Sequence, residues 1–147
     1  MEEKKSILIV DDDKDILETL TDLLKFKGYN VDPAENGKDA IEKSKVHTFN
    51  LALLDIKLPD MEGTELLSKL HQMKPQMMKI MMTGYPTLQN AITSLNQGAD
   101  AYLLKPVNPK ELLKVVEEKL LEQSRAEVLS EDQVAEWIKG RLDRLKG

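Results

Sequence analysis

Five side chains suit chemistry by type and by spacing: Asp11, Asp12, Asp55, Thr83 and Lys105. Each stands at the end of a short apolar run, namely Ile7-Leu8-Ile9-Val10, Leu51-Ala52-Leu53-Leu54, Ile80-Met81-Met82 and Ala101-Tyr102-Leu103-Leu104. Carboxylates, a hydroxyl and an ammonium together suit a hard cation and a phosphoryl group. Two like charges ~4 Å apart repel by ~4 kcal/mol at an effective dielectric of about 20, so clustered aspartates need cations. Lys105 supplies one. Mg2+, which takes carboxylates, waters and phosphate oxygens, is the expected second, in preference to zinc. An aspartate between a metal and a lysine is a competent nucleophile toward phosphorus. Phosphoryl transfer asks mainly for alignment and for neutralisation of the equatorial oxygens. The Thr83 hydroxyl can donate to such an oxygen, and Gly84 leaves room for close backbone approach.

These residues meet only if the runs are parallel strands of one sheet. Between them lie helical patterns: Ile16, Leu17, Leu20, Leu23 and Leu24 before Gly28, then Ala40 and Ile41 after a capping Asn36. Leu66, Leu67 and Leu70 follow the loop Leu58-Pro59-Asp60-Met61-Glu62-Gly63, and Pro86 and Gly98 bracket another helix. Asn108-Pro109-Lys110-Glu111 opens the last one. The stretch 29–34 reads as a weaker second strand. The expected fold class is α/β, a flavodoxin-like doubly wound (βα)5 unit with a five-stranded parallel sheet ordered 2-1-3-4-5. Its topological switch point lies between strands one and three, the strands that end in Asp11-Asp12 and Asp55. The expected division is a domain over 1–123 and a helical extension over 124–147. There Ser130-Glu131-Asp132-Gln133 matches a capping box, and Val134, Trp137, Ile138, Leu142 and Leu145 form one apolar stripe. An isolated short helix is marginal in water, so this stripe is expected to pack on something.

Composition narrows the function. The 147 residues are 41% hydrophobic and 32% charged, enough for one globular core. No cysteine is present, which removes thiol chemistry and thiolate metal sites. A net charge of −5 gives no general attraction to nucleic acid, and residues 124–147 carry five basic and five acidic side chains. No signal peptide or membrane span is visible, so the expected location is cytoplasmic.

At the strand ends the chain resembles the receiver domain of two-component response regulators. The matching text is ILIVDDD at 7–13, LALLDIKLPDMEG at 51–63, MMTGY at 81–85 and AYLLKP at 101–106, and the resemblance covers 6–123. It implies a single-domain phosphorylation switch rather than a conventional enzyme, one that assists its own phosphorylation and dephosphorylation. Asp55 matches the phosphoacceptor. Asp11 and Asp12 match the acidic pair that holds Mg2+, with Asp12 and Asp55 as direct ligands and Lys57 contributing its backbone carbonyl. Thr83 and Lys105 match the switch hydroxyl and the phosphate-binding lysine, and Tyr102 the aromatic whose rotamer reports phosphorylation. The implied partners are a sensor histidine kinase and an unidentified downstream protein, with neither nucleic acid nor membrane bound directly. A homodimer is expected through the fourth helix, fifth strand and fifth helix, or through the C-terminal helix.

Other readings are weaker. Asp11, Asp13 and Asp15 open like a calcium loop, but Ile16 stands where that loop needs glycine. Asp13 and Asp15 suit a helix N-terminus instead. Met73, Met77, Met78, Met81 and Met82 read as core filler, and His47 and His71 as surface residues. Lys57 and Tyr85 flank the site. Two alternative functions remain: the receiver portion of a DNA-binding transcriptional regulator, and an aspartate-dependent phosphohydrolase. The second is disfavoured because Lys57 stands where those enzymes place an acid/base aspartate.

Overall fold

The computed structural model describes residues 4–84 and 87–146. Five strands, β1 (Ser6–Val10), β2 (Asn30–Ala34), β3 (Leu51–Asp55), β4 (Met78–Thr83) and β5 (Ala101–Leu104), alternate with five helices. These are α1 (Lys14–Phe26), α2 (Gly37–Val46), α3 (Gly63–Met73), α4 (Leu88–Asn96) and α5 (Pro109–Lys146). The strands form one parallel sheet in the order β2-β1-β3-β4-β5, as the strand pattern predicts.

A sheet covered on both faces needs strands apolar at every position, and β1 and β3 are buried along nearly their whole length. Alternate residues feed two cores. Ile7, Ile9, Leu51, Leu53, Ile80 and Met82 pack with Leu17, Leu20 and Leu24 of α1 and with Leu112, Val116 and Leu120 of α5. Leu8, Val10, Ala52, Leu54 and Met81 pack with Ala40 of α2 and with Leu66, Leu67 and Leu70 of α3. The methionines act as filler: Met77, Met81 and Met82 are buried.

Helix ends follow local chemistry. Asp13 caps α1 by accepting from the Asp15 and Ile16 amides at 3.0 and 3.2 Å, and Asn36 caps α2 by accepting from Asp39 N at 2.8 Å. Asn108 accepts from the Lys110 and Glu111 amides at the start of α5. Gly28 and Gly98 follow α1 and α4 with φ of 97° and 105°, where a side chain would be strained. Pro86 and Tyr85 lie outside the described residues; the cap of α4 is Thr87, whose hydroxyl accepts from Asn90 N at 3.0 Å.

The C-terminal segment is helical as expected, but it does not begin anew at Ser130. It continues α5 without a break, so that helix runs 38 residues. From 110 to 139 there is neither glycine nor proline, and the backbone at Ser130 is already helical, so the capping-box residues sit inside a helix and not at its start. Among the described residues no helix is long and apolar enough to cross a membrane.

Candidate functional site

The register of the sheet brings the strand ends together. Val10 pairs with Leu54, Asp55 with Met82, and Thr83 with Leu104. The next residues out are Asp11, Asp12 and Lys105, all at the carboxyl edge beside the switch point. Carboxylate oxygens of Asp11, Asp12 and Asp55 lie within 4.8 Å of one another. Asp11 is fully buried, Asp55 nearly so, and Asp12 faces solvent. Lys105 Nζ donates to Asp11 Oδ2 at 2.6 Å and lies 3.3 Å from Asp55 Oδ2. The lysine therefore bridges the buried pair and leans toward Asp11.

Electrostatics at the site follow from this crowding. Burial and then the negative charge of Asp11 push the Asp55 carboxyl above its usual value, against the pull of Lys105 and the Lys57 backbone N–H. Burial opposes the charge on Lys105, but the hydrogen bond and attraction of Asp11, then of Asp55, outweigh it and hold the ammonium above its ordinary value. Three carboxylates against one ammonium leave room for a divalent charge. The donor set is all oxygen and its atoms lie within 4.8 Å of one another, so the residues fit Mg2+.

The loop after β3 holds Lys57 against this cluster. Leu58 N donates to Met61 O at 3.2 Å, Gly63 N donates to Ile56 O at 2.7 Å, and Lys57 bridges to Glu62. A Cβ on Gly63 would overlap the Asp55 carbonyl oxygen and lie 2.6 Å from Ile56 Cα, so only glycine permits this return. The same loop sends Asp60 to α2, where its two carboxylate oxygens accept from Gly37 N and Lys38 N at 2.9 Å each. Sequence reasoning did not single out Asp60. At Gly84 a Cβ would meet Lys105 Cβ at an ordinary 3.9 Å, so close approach does not itself demand glycine there.

Thr83 is fully buried at the end of β4, and its carbonyl accepts from Lys105 N at 2.7 Å, which ties two candidate residues together through the backbone. Tyr102 stands apart from the strand ends, in mid-β5. Its ring packs against the α2–α3 side core and its hydroxyl is buried without a hydrogen-bond partner among the described residues. The ring thus occupies an inward position. His47 and His71 are exposed, as expected, but His71 Nδ1 lies 3.3 Å from the ammonium of Lys79. Lys79 itself is a fully buried charge in β4 that the apolar strand pattern hid; it also donates to Met77 O at 2.7 Å.

Residues 7–117 match the family of the response regulator receiver domain. The chain belongs to that family. A CheY-like receiver domain protein from Methanospirillum hungatei JF-1 is 54% identical, across 84% of this chain and 99% of that one, with a TM-score of 0.83. The transcriptional regulatory protein ZraR of Klebsiella oxytoca is 38% identical over 106 residues, 72% of this chain and 24% of that protein. The alkaline phosphatase synthesis transcriptional regulatory protein PhoP of Bacillus subtilis is 34% identical over 108 residues, 74% of this chain and 45% of that protein. This receiver therefore spans a quarter to a half of the length of these curated relatives.

Proposed function

We propose that this receiver accepts a phosphoryl group on Asp55, from the phosphohistidine of a sensor kinase or from a small phosphodonor, and signals through a changed contact surface. The observation that carries the reading is the cluster itself: a buried Asp55 within 4.8 Å of two further carboxylates and 3.3 Å from the Lys105 ammonium. One Asp55 oxygen forms the new bond to phosphorus while the bond to the donor atom breaks, and that electron pair leaves with the donor. Mg2+, held by Asp11, Asp12, Asp55 and the Lys57 carbonyl, would neutralise charge on the phosphoryl oxygens. Lys105 supplies a second positive charge, and the Thr83 hydroxyl donates to a phosphoryl oxygen. Asp11 keeps Lys105 at the site until the new oxygens compete for it. Thr83 and Tyr102 then carry the change to α4 and β5. Moving such an equilibrium from mostly one state to mostly the other takes about 5.5 kcal/mol of differential stabilisation, a scale that several charge-assisted bonds reach. The same geometry would serve the chain's own dephosphorylation, so that it assists both reactions without being a conventional enzyme.

Incubation with acetyl phosphate and Mg2+ followed by intact mass measurement tests this. Wild type gains one phosphoryl group and Asp55→Ala gains none. An unlabelled wild type overturns the reading, and equal labelling of Asp55→Ala moves the acceptor elsewhere. A second reading, the receiver portion of a DNA-binding regulator, is favoured by the names of ZraR and PhoP. With a net charge of −5, the chain by itself is expected to show no salt-sensitive binding to duplex DNA.

A further inference from the structure

Helix α5 outruns the body it packs on. Its inner face is set by Leu112, Val116, Leu120 and Gln123, all buried. Gln123 closes that face by donating from Nε2 to Asn50 O at 2.9 Å and Gln76 O at 2.7 Å. Beyond it the helix continues to Lys146, and the described side chains from Gln133 to Arg144 are all exposed. Yet the apolar pattern does not stop. Eighteen residues are about five helical turns, so Val134 and Ile138 point the same way as Val116 and Leu120. The extension repeats the buried face in register, with no sheet beneath it. Val134, Trp137, Ile138 and Leu142 are 55%, 61%, 48% and 53% exposed.

Charge on the extension is sorted along its length. Residues 124–137 hold one basic residue (Arg125) and four acidic ones (Glu127, Glu131, Asp132, Glu136), a net −3. Residues 138–147 hold four basic residues (Lys139, Arg141, Arg144, Lys146) and one acidic one (Asp143), a net +3. We propose that the apolar face of 124–146 is covered by the same segment of a second copy of this chain, the two helices lying antiparallel and crossing near Trp137. In that arrangement the acidic half of each helix faces the basic half of the other, and the helix dipoles also oppose favourably. A parallel pair would set −3 against −3 and +3 against +3, which like charges disfavour. The crossing point places Trp137 at the two-fold axis, with Arg141 stacked on its ring at 4.5 Å. The basic end of each helix then reaches the base of the other body. That base carries a cleft of about 420 Å3 bordered by Gln76, Asp100 and Glu127, whose two acids suit it. The pairing does not rest on the phosphoryl-transfer reading.

Light scattering of the full chain across micromolar concentrations tests the pairing, with Trp137, the only tryptophan, as a second probe. The expected result is a dimer whose formation shifts Trp137 emission to the blue, and an Ile138→Asp variant that stays monomeric with an unchanged circular dichroism spectrum. Orientation is read by cross-linking, since the natural chain has no cysteine. Ile138→Cys is expected to form an intermolecular disulfide under oxidation, and Glu127→Cys not to. A wild type that is monomeric throughout, an Ile138→Asp variant that dimerises as well as wild type, or self-cross-linking of Glu127→Cys would each overturn the proposal.

Discussion

Lys105 is shared between two aspartates, and the sharing is unequal: 2.6 Å to Asp11 against 3.3 Å to Asp55. Asp55 is the less compensated of the pair, which is why its carboxyl is pushed upward by burial and by Asp11. A carboxyl whose folded value is raised holds its proton more tightly when folded, so its contribution to stability is present below the ordinary carboxylate range. That contribution is lost as pH rises through the folded value. Without Mg2+, Asp55→Asn is therefore expected to be more stable than wild type at neutral pH. The gap should close in acid below the unfolded aspartate value, and urea titrations at several pH values check both points. Added Mg2+ should narrow the gap by stabilising wild type selectively. This much of the site was legible in the sequence because each member stands at the end of an apolar run, where a parallel sheet must bring it to the same edge. Lys79 was not legible, because one lysine inside Met78-Lys79-Ile80-Met81 looks like an outward-facing position, whereas the ammonium turns back to Met77 O and His71.

Strands and helices here are joined by polar devices at their ends. Asp60 is one: it lies in the loop after β3 but satisfies two of the amides that α2 leaves unpaired. Asp60→Ala is expected to destabilise the protein by about 1 kcal/mol, read as a lower urea midpoint with an unchanged slope. The backbone N–H of Gly37 holds the Asp60 carboxyl below its usual value, so this contribution is present above the ordinary carboxylate range. It is lost as pH falls through the lowered value. Lys79 in β4 works the other way. Burial lowers its ammonium against the pull of Asp100, so the unfolded chain binds that proton more readily and stability rises with pH toward the unfolded lysine value. Lys79→Met is expected to remove that alkaline rise, measurable by chemical denaturation at several pH values. The order of elements was legible from hydrophobic period alone. The Asp60 contact was not, because it joins residues 23 apart through a loop conformation that no local pattern specifies.

At the scale of the molecule, the fold divides into a body that contains every buried contact and a helical projection that contains none of the described ones. The expected boundary at 123 falls where Gln123 fastens α5 to the base of the sheet. We propose that the body is an independent folding unit. A chain ending at Glu127 is expected to keep its urea stability within about 0.5 kcal/mol in the monomer, since the described side chains it removes, Gln133 to Arg144, are all exposed. It should also still take up phosphoryl on Asp55. A helical segment after Gln123 was legible from its apolar stripe, but the absence of a break was not. The capping-box text at 130–133 carries a start signal, and uninterrupted helix-forming residues on both sides override it.

The unbroken α5 has a mechanical consequence. Twenty-three residues beyond Gln123 make a rod of about 34 Å at 1.5 Å per residue. Its N-terminal end begins four residues after Lys105, on the same connection that leaves the candidate site. A tilt of about 5° where the helix rests on the sheet would swing the far tip by roughly 3 Å over that length. Under such a tilt the projection would act as a lever arm, converting a displacement too small to reshape the body's surface into one large enough to bring a partner into or out of reach.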